Sequence, residues 1–177
     1  MPAQTIKQLG EFHFIDRIQK KIKYSHQVVH GLGDDTAVVA HDRHFYGLWT
    51  TDMLIEGGHF TSKDDPADIG HKSLACSISD VAAMGGLPKY ALVSLGMPSS
   101  CPVKYIDRLY AGILKTARVY DTDIIGGDTV RSDKIIINVC VYGTVHKKHL
   151  VTRSAAKTGD VIFVTGPLGD SFRTKKH

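Results

Sequence analysis

GLGDDTAVVAHDRHFYGLWTTDM, residues 31–53, sets the architecture of this chain. Two β-rich runs, TAVVAH and FYGLWTTDM, flank the polar turn HDRH, which predicts an antiparallel pair. Asp34 and Asp35 open the first strand and Asp52 closes the second. Tandem like charges repel, and the strand behind them offers no relief, so the arrangement asks for a cation.

Outward from this pair, helices and strands are interspersed. Residues 4–20 carry Ile6, Phe12, Phe14, Ile15 and Ile18 in a helical rhythm, which predicts an N-terminal amphipathic helix. PADIGHKSLACSISDVAAM, residues 66–84, reads as a long helix with proline in its first turn and GGLP stopping it. KYALVSLGM is a strand. Pro102 opens a second helix whose Ile106, Leu109, Tyr110, Ile113, Ala117 and Tyr120 share one stripe. A short strand, Asp123 to Ile125, runs into GGDTVR; KIIINVCVYGTV follows, and DVIFVTG reads as the last strand. The order α, β, β, α, β, α, β, β, β predicts an α+β fold: a mixed, largely antiparallel sheet with helices on one face.

Composition narrows the class. The 177 residues are 42% hydrophobic and 23% charged, enough for one domain with its own core. No run of about 18 apolar residues spans a bilayer and the start lacks a secretory signal. No membrane association and a cytoplasmic location are therefore expected. Arg173, Lys175 and Lys176 supply three of the four net positive charges, so no nucleic-acid footprint is indicated. Cys76, Cys101 and Cys140 are too widely spaced for a zinc motif or a disulfide framework, and read as small buried hydrophobes.

Asp34, Asp35, Asp52, Asp80 and Asp128 each stand near an element's end beside Gly, Thr or Ser. On a twisted sheet such ends can converge, and hard oxygen ligands suit Mg²⁺; singly, each also reads as a turn or cap residue. On its helix Asp80 lines up with Ile69, Ser73 and Cys76, while Leu74, Ile78 and Val81 form the opposite stripe. Both sides of that helix are therefore expected to pack, and a carboxylate there needs a positive partner. Thr50, Thr51 and Asp52 offer hydroxyl, carbonyl and carboxylate oxygens in a row, though threonine also simply favours strands. His59 follows two glycines in a loop, where an imidazole could reach a ligand or merely be solvated. IIGGDTVR offers glycines for close approach of backbone to phosphate, or an ordinary turn. Arg153 suits a phosphate partner and a surface ion pair equally. Neither a P-loop nor a dinucleotide-binding glycine motif is present.

Together GLGDDTAVV, TTDMLIEGGHF, DIGHKSLACSISDVAAMGGLP, IIGGDTVR and VTRSAAKTGDVIFVTGPLGDS resemble the N-terminal half of the thiamine-monophosphate kinase family, in the same order and to about Ser171. That family is grouped with aminoimidazole ribonucleotide synthetase, selenophosphate synthetase and a hydrogenase maturation factor, which share its fold and an acidic ATP site. The resemblance implies transfer of the γ-phosphoryl group of ATP to thiamine monophosphate, giving thiamine diphosphate and ADP without a protein nucleophile. It implies several Mg²⁺ ions on Asp35, Thr50, Thr51, Asp52, Asp80 and Asp128, with Asp34 in support. ATP contacts fall on Tyr110, Gly127, Asp128 and Arg153, although Tyr110 also fits the core stripe of its helix, and His59 falls near the substrate. A homodimer formed through the sheet surface is implied as well.

The expected organisation is an ATP- and Mg-binding N-terminal domain, 1–171, and a basic tail, 172–177, ending where the family continues into a second domain. With that C-terminal domain absent, a metal and nucleotide half-site with little turnover is expected. Another ATP-dependent enzyme of the group, such as an aminoimidazole ribonucleotide synthetase, a non-catalytic nucleotide-binding or dimerisation module, and a purely structural fragment are the competing readings.

Overall fold

The computed structural model describes residues 5–164 and 166–168; the boundary at 171, the tail 172–177, residue 4 of the run read at 4–20 and residue 165 of the run read at 160–166 lie outside them. Six strands form one sheet: β1 (Val28–His30), β2 (Ala37–Ala40), β3 (Phe45–Ile55), β4 (Leu87–Met97), β5 (Asp123–Arg131) and β6 (Ile136–His146). Their order is β1-β2-β3-β6-β4-β5. All pairings are antiparallel except β4 with β5. A parallel pair needs a crossover, and helix α4 (Val103–Val119) supplies it. The β2–β3 hairpin turns at residues 41–44, as the polar HDRH predicts.

Strand β6 shows how sequence becomes architecture. Its residues alternate strictly between half-buried and buried, sending Ile137, Val139, Val141 and Val145 to one face. There they meet α3 (Pro66–Ala83) and α4, whose Leu74, Val81, Leu109 and Ile113 are fully buried. Each such aliphatic side chain contributes about 1.5–3 kcal/mol on leaving water. Helix α3 begins where the sequence demands: Pro66 needs no N–H partner in the first turn, and Asp65 caps the helix by accepting from Ala67 N at 2.9 Å.

The opposite face of the sheet is apolar, and no helix among the described residues covers it. Trp49, Met53, Tyr90, Leu92 and Ile125 are exposed there, and the Trp49 and Tyr142 rings lie 4.8 Å apart.

Three readings of the sequence are corrected. Gly10, at φ +78°, divides the N-terminal helix into α1 (Ile6–Leu9) and α2 (Glu11–Gln19), neither of which buries a residue. The short strand at Asp123 does not stop before the glycines; β5 continues through them to Arg131, with Ile125 bulged out of register with β4. Residues 160–164 form no strand: Ile162 and Phe163 are 91% and 87% exposed, because local β-propensity supplies no neighbouring backbone to pair with.

Candidate functional site

Alternation along β3 points Thr50 and Asp52 toward α3 and Thr51 to the open face. Thr50 donates from Oγ1 to Asp80 Oδ2 at 2.6 Å. One turn earlier on α3, the buried Ser77 donates from Oγ to Asp52 Oδ2 at 2.7 Å. Asp52 and Asp80, 28 positions apart in sequence, are thus oriented by hydroxyls reaching between strand and helix. Burial pushes the Asp80 carboxyl above its ordinary range; the Thr50 hydroxyl opposes the rise, the Asp52 and Asp35 charges add to it, and Arg153 offsets part.

Asp35 enters from the loop before β2. Arg153 donates from Nη2 to Asp35 Oδ1 at 2.6 Å and from its backbone N to Asp34 Oδ2 at 3.2 Å. Asp34 Oδ1 also accepts from Asp35 N at 3.0 Å, so Asp34 shapes the turn that presents Asp35. The Arg153 side chain is 57% exposed, so this ion pair contributes little to stability and yields readily to a competing cation. Next to Asp35, Thr36 is 2% exposed and its Oγ1 has no hydrogen-bond partner among the described residues. Continuing the β2–β3 register by one residue sets Thr36 opposite Thr50.

The donor set fits a hard divalent cation: carboxylates of Asp35, Asp52 and Asp80, the Thr50 hydroxyl, and a buried unpartnered hydroxyl beside them. Among the described residues, no three His, Cys, Asp or Glu side chains are placed to enclose a metal by themselves. Mg²⁺ takes one or two protein carboxylates and completes its octahedron with phosphate oxygens and water.

His59 occupies a tight loop that follows the end of β3. Gly57 adopts φ +84°, which lets the chain reverse so that Gly58 N and His59 N both donate to Ile55 O. His59 Nδ1 accepts from Ile55 N at 3.1 Å, which leaves the proton of the neutral ring on Nε2. A cavity of about 410 Å³ lies between this loop, Asp64 and Lys72.

The remaining candidates stand apart. Gly127 and Asp128 lie on the edge strand β5, and Asp52 is separated from that strand by β6 and β4, three spacings of about 4.8 Å. At Gly127 any Cβ would sit 1.7 Å from Val93 O, so only glycine lets β5 run beside β4 there. Asp128 Oδ1 accepts from Thr129 N. Thr51 Oγ1 accepts from Asn138 Nδ2, which also donates to Asp52 O. Tyr110 packs against the core from α4. Sequence reading passed over Ser77, Asn138 and Lys72; for Ser77 and Lys72 the available signal was their place, three and eight positions before Asp80 on the same helix.

Residues 33–145 match the family described as AIR synthase related protein, N-terminal domain, and the chain belongs to it. Within that class it is similar to particular enzymes. It is 40% identical to thiamine-monophosphate kinase of Aquifex aeolicus over 94% of this chain and 52% of the relative. It is also 40% identical to thiamine-monophosphate kinase of Bacillus subtilis, over 92% of this chain and 51% of the relative. The solved structure of AaThiL complexed with AMPPCP and TMP superposes with a TM-score of 0.87 at 40% identity, covering 96% of this chain and 52% of that one. The chain thus spans about half the length of the curated relatives it matches.

Proposed function

We propose that this chain provides the metal- and nucleotide-binding half of a thiamine-monophosphate kinase, which makes thiamine diphosphate and ADP from ATP and thiamine monophosphate. The observation that carries the reading is the set of contacts between β3 and α3, Thr50 with Asp80 and Asp52 with Ser77, with the Asp52 and Asp35 charges acting on Asp80 and Arg153 paired to Asp35 as counter-charge. The likeness to AaThiL complexed with AMPPCP and TMP supports the same pair of ligands.

In this reading Asp35, Thr50, Asp52 and Asp80 hold Mg²⁺. Bound there, the ion neutralises repulsion between the two phosphate reactants and brings them into line. Thr51 and Asp128, away from that set, serve further ions once nucleotide is present. Gly127, Asp128 and Tyr110 hold the nucleotide, and Arg153 exchanges its carboxylate partners for a phosphate. His59 offers its Nε2 proton to the acceptor substrate. Thr50 and Ser77 keep the two inner carboxylates in fixed orientation, so little rearrangement is left for the moment of reaction. No side chain needs to act as nucleophile: an oxygen of the acceptor phosphate bonds to the γ-phosphorus as that atom's bond to the β–γ bridging oxygen breaks, releasing ADP.

A homodimer formed through the uncovered apolar face and a cytoplasmic location belong to the same proposal. Trp49, Tyr90 and Leu92 support the dimer, since a contiguous exposed apolar face of this kind marks an interaction surface. The test is calorimetry of ATP with Mg²⁺, alone and with thiamine monophosphate, alongside an assay of ADP release. Metal-dependent ATP binding with little turnover is expected of this chain. ATP binding indifferent to Mg²⁺ would refute the reading.

A further inference from the structure

Lys72 stands where the acidic cluster gives way to the His59 loop. It shares one stripe of α3 with Cys76 and Asp80 at i, i+4 and i+8, about 12 Å along the helix axis from the aspartate. The ammonium of this half-buried residue donates to His59 O at 2.8 Å, a neutral carbonyl rather than a carboxylate. A lysine carries three donors, so two remain for the cavity bounded by the 57–61 loop, Asp64 and Lys72 itself. Its field extends along the helix: the Cys76 thiol, raised by burial, is pushed further by Asp52 and Asp80 while Lys72 pulls it down. A dianionic phosphomonoester held in the His59 cavity meets this cation in the cavity wall.

We propose that Lys72 is a positioning residue for the phosphomonoester acceptor: it ties the His59 loop to α3 at a fixed distance from the acidic cluster and turns its free donors toward the acceptor's phosphate. The inference rests on the functional reading above and adds to it the residue that sets the spacing between the two reactants. Spacing of this kind carries much of the catalytic effect, since a displacement of about 1 Å costs on the order of 100-fold in rate.

The test uses the whole chain and two readouts, one of them free of ligand. In K72M, amide exchange at residues 57–60 should accelerate about 10-fold or more, with β3 and β6 unchanged, as expected for loss of a charge-assisted hydrogen bond. With Mg²⁺ and a non-hydrolysable ATP analogue present, affinity for thiamine monophosphate should fall about 10-fold or more, while affinity for the analogue stays within about 2-fold. K72R, which keeps the charge and the donor, should restore both to within about 3-fold. If K72M does not fold, K72Q gives the same readings with a neutral side chain of similar reach. Unchanged loop exchange, or unchanged acceptor affinity in a chain whose wild type binds the acceptor, would overturn the proposal. If the wild type does not bind thiamine monophosphate, the assignment of the acceptor to His59 is contradicted and with it the role of Lys72 toward the acceptor, while the exchange experiment still decides whether Lys72 anchors the loop.

Discussion

The two faces of the sheet invert the usual distribution of polarity. The face covered by α3 and α4 carries Thr50 and Asp52, facing Asp80 of α3, beside a valine and leucine core; the open face presents Trp49, Tyr90 and Leu92 to water. Each is costly as it stands, and each names what would relieve it. Clustered, partly buried carboxylates are relieved by a cation. An apolar sheet face is relieved by a second protein surface.

Substitutions on the two faces should therefore fail in different ways. The largest effect is expected of D52N, which keeps the Ser77 hydrogen bond and removes the charge: Mg²⁺-dependent ATP affinity measured by calorimetry should fall about 100-fold, with dimerisation unaffected. On the open face W49A (44% exposed in the single chain) should do the reverse, weakening self-association about 30-fold in sedimentation while leaving ATP affinity intact. If D52N instead weakened the proposed self-association, or W49A abolished nucleotide binding, the division between the faces would be lost. S77A sharpens the contrast on the covered face: freeing Asp52 from its orienting hydroxyl should cost about 10-fold in Mg²⁺ affinity.

The smallest effect concerns neither face. The Arg108 guanidinium and the Ala67 N–H hold the Asp65 carboxyl below its usual range at the start of α3. Stability from such a lowered group is present in full above the ordinary value of 3.8 and is lost as pH falls from there through the folded-state value. D65A should thus lower the melting temperature by about 2 °C at neutral pH, and the gap should close in acid.

Much of this was legible in the sequence, and for identifiable reasons. The period-two pattern of β6, the proline at the start of α3 and the polar turn at 41–44 are local signals, and the structure follows them. Helix α3 was expected to pack on both sides; Ser73, Leu74, Ser77 and Ile78 are buried but lie within one half of the helix, and His71, Ser79 and Ala82 opposite them are exposed. What escaped reading depended on partners distant in sequence. Ser77 and Asn138 become important only through the register of β3 against β6, and Lys72 only through the loop folded over it. The adjacency of Thr50, Thr51 and Asp52 conceals the strand's alternation, which sends the middle side chain to the other face. Residues 160–164 show the converse: strong β-propensity with no strand beside it to pair.

The central claim is that Asp35, Asp52 and Asp80 take a divalent cation that recruits a nucleotide. Its most direct test is the melting temperature of the chain at saturating ATP, with Mg²⁺ and then with chelator. Binding at about 100 times the dissociation constant should raise the midpoint by about 5 °C or more when Mg²⁺ is present, and chelator should erase the gain. An equal rise in chelator would contradict the central claim, as would no rise under either condition.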